Sequence, residues 1–222
     1  MKEAVIKTNK ELCVQEFDTK YSGSTLVLVL LIGKLVVCGN VGDSRAVLAS
    51  QRLKNGGKVW IATPLSRDHK PDLPDEQERI LNSNGRIDSF KGIFSVAISC
   101  CVDGMGNPVG PQRVWLKNEN LPGLAMSRSM GDKVATICGV IDVPEITEKI
   151  LTVEEKFIII ASDGVWEFIT NTQAVEMVVP FWINKDVEGA CDKLVNEATS
   201  RWEKGDASID DITCVVIFIS TE

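Results

Sequence analysis

Residues Phe157 to Phe168 read FIIIASDGVWEF. Four bulky apolar residues, Phe157 to Ile160, run almost directly into Ser162-Asp163-Gly164. A short apolar run bounded by turn residues reads as a buried strand, here Phe157 to Ala161. Its end carries a carboxylate. Asp and Gly favour turns, and Asp often hydrogen-bonds its own backbone there. Strand ends are also where ligands collect in layered α and β folds. Asp163 alone suits either role, so the rest of the chain has to separate them.

Working outward, TLVLVLLI (25–32), LVVCGNV (35–41) and RAVLAS (45–50) are three further strand-like runs. Gly33-Lys34 and Gly42-Asp43-Ser44 punctuate them, and KVWIAT (58–63) follows Gly56-Gly57 as a fourth. Consecutive strands joined by such tight turns are expected to pair antiparallel. The first run is apolar on both faces, so both sides of its sheet are expected to be covered. Residues 3–17 carry a weak helical pattern. Pro74-Asp75 opens a helix through 84 with Gly85 as its C-terminal cap. Residues 86–123 read as a flap or insertion containing the loop DGMGNPVGP (103–111). VPEI (143–146) is an edge strand, because Pro144 cannot donate to a ladder. Thr170 or Asn171 caps a helix through about Val179. Asp186 caps another ending near Gly205, with Val187, Ala190, Leu194, Val195, Ala198 and Trp202 on one face. IDDITCVVIFI (209–219) is a terminal strand preceded by two acids. This grouping implies the α+β class, with helices packed over antiparallel sheets.

The 222 residues suit a single domain, 1–222, and 44% hydrophobic with 25% charged residues is a soluble globular profile. A net charge of -7 argues against a nucleic-acid partner, which would require a basic face, and leaves a cation possible as ligand. The seven Cys form no C-x-x-C pair, and several sit in apolar runs as small hydrophobes of a reducing compartment. The N-terminus is too charged for a signal peptide, and the apolar run Leu26 to Ile32 is too short to span a bilayer. The expectation is a soluble cytoplasmic or nuclear protein without a membrane partner.

Asp43 sits in a turn between two strands, Asp163 ends a strand, and Asp210 with Asp211 starts the last one. Carboxylates brought together repel unless a cation sits between them. Oxygen ligands alone suit Mg²⁺ or Mn²⁺, and one His with scattered Cys leaves no zinc site. Taken singly, each Asp reads as a turn residue before a ligand; taken together, the two readings stand about level.

The motifs SGST (22–25), VGDSR (41–45), DHKP (68–71), LAMSRSMGD (124–132), GVIDVPEI (139–146), ASDGVWE (161–167) and DDIT (210–213) resemble, in order, those of the metal-dependent protein phosphatases of type 2C. The resemblance implies a four-layer α-β-β-α sandwich of two antiparallel sheets flanked by helices, here N-terminally incomplete. It implies hydrolysis of phosphoserine and phosphothreonine in protein substrates by a water that bridges two Mg²⁺ or Mn²⁺ ions roughly 4 Å apart. Carried over residue by residue, Asp163 and Asp210 are ligands of the two-metal centre. Asp43 and Glu167 match positions that hold a third, weaker ion in some members, with Glu167 standing where many carry Asp. Asp211 replaces the family's Asn and adds negative charge.

The sequence contains no Asp-Gly-His-Gly, the family motif that supplies a bridging Asp, a backbone ligand and the general-acid His. The family's phosphate-gripping Arg has no counterpart either, so no catalytic side chain is assigned. Asp163 and Asp210 are then expected to form at most one weak metal site. Sheet edges are left for a partner chain to cover. The alternative reading is a non-catalytic phosphatase-like binding or regulatory domain. His69, in DHKP, reads as a loop or core histidine. Arg128 either reaches a substrate phosphate or forms a structural ion pair. Trp115, Trp166, Trp182 and Trp202 read as packing residues, Gly39 to Ser44 as a strand turn, and Asp103 to Asn107 as a flexible turn.

Overall fold

Apolar runs separated by glycine turns form the strands, and the two capped stretches toward the C-terminus form the longest helices. The computed structural model describes residues 1–54, 56–89, 110–205 and 208–220. In chain order the elements are α1 (Lys2–Leu12), β1 (Gly23–Ser24), β2 (Leu26–Ile32), β3 (Leu35–Val41), β4 (Arg45–Lys54), β5 (Gly57–Pro64), α2 (Pro74–Asn82), β6 (Gly85–Ser89), β7 (Gln112–Leu116), β8 (Pro122–Leu124), β9 (Met130–Gly131), α3 (Lys133–Thr136), β10 (Glu145–Ile150), β11 (Glu155–Ala161), α4 (Asp163–Trp166), α5 (Asn171–Asn184), α6 (Val187–Gly205) and β12 (Cys214–Phe218). They form two compact units, one of Met1–Leu26 with His69–Pro144, the other of Val27–Asp68 with Glu145–Glu222. No helix among the described residues is long and apolar enough to cross a membrane.

The second unit is built on two sheets, β12-β11-β4-β5 and β10-β3-β2. Strand side chains alternate between faces. Ala46 and Leu48 of β4 and Ile158 of β11 therefore face one way, where they bury Val36 and Cys38 of β3 with Val27 and Val29 of β2. Val47, Ala49, Phe157 and Ile159 face the other way, onto Val165 and Trp166 of α4, Val175 and Val178 of α5 and Leu194 of α6. Both faces of β11 are covered, which fits a run that is apolar throughout from Phe157 to Ile160. The α+β class holds, with antiparallel ladders joining β11 to β12 and β4, β4 to β5, and β10 to β3.

Four local expectations are corrected. Runs 35–41 and 45–50 do not pair: the corner Gly42-Asp43-Ser44, with φ 98° at Gly42, carries the chain from one sheet to the other. That switch lets Val36 and Cys38 pack against Ala46 and Leu48, which an in-plane hairpin could not do. The outer face of β2 is not covered among the described residues, since Leu28, Leu30 and Ile32 are 39%, 48% and 56% exposed. Only Val27 and Val29 point into the sandwich. The positive φ that closes α2 falls on Asn84, at 58°, and Gly85 begins β6. Glycine is required at 85 for space, because a Cβ there would lie 2.6 Å from the Cys138 carbonyl oxygen. Helix α5 continues through Pro180 to Asn184. An internal proline costs roughly 3 kcal/mol. Phe181 and Trp182 beyond it pack on the core, and burying side chains of that size returns about as much.

The first unit holds the antiparallel pair β1-β9 and the sheet β6-β7-β8. Ile80 of α2, Val114 of β7, Ala135 of α3, Cys138 and Val140 form its core. Part of the stretch 86–123, expected as a flap, is thus regular sheet. Most of the 103–111 loop, including the turn Asp103 to Asn107, lies outside the described residues.

Phe157→Ala, at a fully buried position between α5 and the sheet, is expected to cost about 3–5 kcal/mol. Leu30→Lys, on the exposed outer face of β2, is expected to change stability by no more than about 0.5 kcal/mol. Urea unfolding of the two variants measures the contrast.

Candidate functional site

Ladder register brings the acids of the second unit to one end of one sheet. Arg45, Ala161 and Cys214 stand side by side at the ends of β4, β11 and β12. Asp43 lies two residues before Arg45, Asp163 two after Ala161, and Asp210 with Asp211 just before Cys214. The strand end is then tied across. The Ser162 N–H donates to the Thr213 carbonyl at 3.0 Å, and the Thr213 N–H donates to Ser162 Oγ at 3.1 Å. Ser162 Oγ in turn donates to the Asp211 carbonyl at 3.0 Å. Gly164 packs so close that a Cβ on it would sit 2.5 Å from the same carbonyl oxygen. The Asp211 N–H donates to Asp210 Oδ1 at 2.7 Å. Asp163 and the Asp210-Asp211 pair are therefore held as neighbours by backbone geometry. Glu167 is exposed one helical turn past Asp163, its N–H on the Asp163 carbonyl at 2.8 Å.

The Asp43 corner is fixed from beneath. Asp43 is only 2% exposed, and the Asn40 side-chain amide donates to the Gly42 and Arg67 carbonyls, each at 2.9 Å. Beside it, Arg45 grips Asp68 bidentately at 2.8 and 2.6 Å. Its third nitrogen donates to Asn171 Oδ1 at 2.7 Å, and the guanidinium lies 5.2 Å from the Trp166 ring centre. One arginine thus links the starts of β4 and α5, the 68–71 motif and α4. Trp166 also donates to the Ala161 carbonyl at 2.9 Å. The sequence reading missed this junction: Arg45 and Asp68 sit in separate motifs, and their opposite charge was the available signal.

Arg128 and His69 belong to the first unit. His69 is fully buried, as a core histidine. Arg128 is committed to Glu76, its Nη2 2.6 Å from Oε1, and its Nη1 donates to the Val143 carbonyl at 2.8 Å. This geometry supports the ion-pair alternative rather than the phosphate contact. Glu76 is fully buried and also takes Arg79 bidentately at 2.9 and 2.7 Å and Ser127 Oγ at 2.5 Å. Arg79 further bonds the Gly139 and Ser127 carbonyls, each at 2.8 Å. Burial alone would push the Glu76 carboxyl up. Hydrogen bonds from Arg79, Arg128 and Ser127, with the Arg128 charge, outweigh it and hold the group far below the usual carboxylate range. Glu76 was also missed, although its place four residues before Ile80 puts it on the buried face of α2.

Among the described residues the donors for a metal centre are incomplete. Among the described residues no group of three or more His, Cys, Asp and Glu side chains comes together in a way that could hold a metal ion. Asp163 and Asp210 are oxygen donors of the right hardness for Mg²⁺ or Mn²⁺, but too few for a two-metal centre.

An α+β sandwich with carboxylates gathered at one end of its helix-covered sheet calls for comparison with known proteins. The family model described as Protein phosphatase 2C matches residues 1–205. The chain is 36% identical over 207 residues to "Probable protein phosphatase 2C 73" of Arabidopsis thaliana, covering 92% of this chain and 50% of that protein. It is 36% identical over 217 residues to "Probable protein phosphatase 2C 72" of the same plant, covering 96% of this chain and 59% of that one. The crystal structure of a serine-threonine phosphatase 2C from Toxoplasma gondii superposes with a TM-score of 0.79 at 22% identity, covering 98% of this chain and 65% of that chain. This chain belongs to the protein phosphatase 2C family. It spans only 50% to 59% of the length of those two plant relatives.

Glu76→Gln leaves two arginines facing a neutral partner in a buried place and is expected to cost about 3–5 kcal/mol. The folded-state pKa of Glu76 is depressed, so its stabilisation is complete above the unfolded value of about 4.3 and is lost as pH falls below it. Urea midpoints taken from pH 7 down to about 3 should therefore fall less steeply in Glu76→Gln than in the parent.

Proposed function

We propose that the protein is a Mg²⁺- or Mn²⁺-dependent protein serine/threonine phosphatase, acting on phosphoserine and phosphothreonine in protein substrates in the cytoplasm or nucleus. The observation that carries this reading is the clamp between Ser162 and Thr213, which holds Asp163 and Asp210 together at the sheet's end within the family's own motifs. In this reading Asp163 and Asp210 are ligands of a two-metal centre whose remaining donors are not among these residues. Asp43 and Glu167 lie at the same end and serve a further, weaker ion. Arg128 acts through its ion pair with Glu76 as a structural residue. The shortage of donors among the described residues favours, as the second reading, a phosphatase-like binding domain without turnover.

Hydrolysis of a phosphothreonine peptide, with and without Mn²⁺, separates the two. The phosphatase reading expects Mn²⁺-dependent turnover that falls at least about a hundredfold in Asp163→Ala. Turnover indifferent to Mn²⁺ or to Asp163→Ala contradicts it. A folded protein that binds phosphopeptides without hydrolysing them supports the second reading.

A further inference from the structure

We propose that Cys191 and Cys214 are a disulfide-forming pair that staples α6 to the start of β12 under oxidising conditions. Cys191 lies in the second turn of α6, and Cys214 opens β12. The Cys214 thiol donates to the Cys191 carbonyl oxygen at 3.7 Å. Both side chains pack on the rim of the helix-covered core. Both are half-buried, whereas Cys38 and Cys138 are sealed inside. A disulfide needs the sulfurs at about 2.05 Å, and the Cys214 sulfur already touches the Cys191 backbone, so the remaining approach is a side-chain rotation.

The order of events follows from the environments. Burial first, and then the neighbouring Cys191 and the Asp192 charge, hold the Cys214 thiol up at about 12. Cys214 is thus the poorer nucleophile and reacts second. A hydroperoxide oxidises the Cys191 thiol to a sulfenic acid, its O–O bond taking the two electrons and leaving an alcohol, or water if the oxidant is hydrogen peroxide. The Cys214 sulfur then attacks the Cys191 sulfur, the S–O bond breaks, and hydroxide leaves with the thiol proton as water. A thiol reductant reverses the bond. Thr213, next to Cys214, carries the hydrogen bonds to Ser162, so the staple acts on the chain segment that presents Asp210. That last consequence rests on the phosphatase reading, whereas the bond itself does not.

The test treats the folded protein with hydrogen peroxide, blocks free thiols, and digests it without reduction for mass spectrometry. The expected product is a peptide joining Cys191 to Cys214, lighter by two hydrogens than the reduced pair and lost on adding dithiothreitol. The oxidised protein should unfold at higher urea than the reduced one, and neither effect should appear in Cys191→Ser or Cys191→Ala. The proposal is overturned if both thiols remain fully alkylatable after oxidation, if each proceeds to higher oxides, or if either links to a different cysteine. The mapping does not use phosphatase activity, so its failure would leave that reading standing.

Discussion

The pair of hydrogen bonds between Ser162 and Thr213 is the interaction on which the arrangement depends. A strand such as β11 fixes where a carboxylate leaves the sheet, but not what stands next to it. The clamp supplies the neighbour, because Ser162 holds Thr213 through both its N–H and its hydroxyl oxygen. Gly164 must then lie against the Asp211 carbonyl, a closeness that no side chain permits. The chain segments that carry Asp163 and Asp210 are thereby kept side by side.

The first unit solves a different problem with the same economy of parts. One buried carboxylate, Glu76, collects two arginines and a serine hydroxyl, and those arginines carry on to the carbonyls of Ser127, Gly139 and Val143. Segments with little regular structure, around 127 and 139–143, are thus anchored to α2 by charge-assisted bonds as well as by the burial of Val140. Networks of this kind add little over a well-packed apolar core but are costly to break at one point. Ser127 and Arg128 of the motif LAMSRSMGD are two of the groups committed to this network.

Much of this was legible in the chain because the signals were local. Uninterrupted apolar runs gave β3, β4 and β11, and the capping pair Thr170 and Gln173 marks the start of α5. Period-two alternation cannot say which sheet a strand joins, so the switch at Gly42-Asp43-Ser44 was read as a hairpin. Nor can an apolar run report that its outer face is bare, as at Leu28, Leu30 and Ile32. Of the candidate site, the four acids were singled out through motifs, and register places Asp43, Asp163 and Asp210 at one end of one sheet. Long-range pairings escaped: Arg45 meets Asp68 and Asn171 only in the folded chain, and Glu76 meets Arg128 across about fifty residues of sequence.

Amide hydrogen exchange at Thr213, compared between the parent protein and Ser162→Ala, tests the clamp most directly. The account predicts that the Thr213 amide is protected in the parent and exchanges up to about tenfold faster in the variant, in line with the loss of one hydrogen bond. Amides deep in β11, such as Ile159, should be unaffected. A Thr213 amide that exchanges freely in the parent, or at the same rate in both, would mean that the two carboxylate-bearing segments are not held together as described.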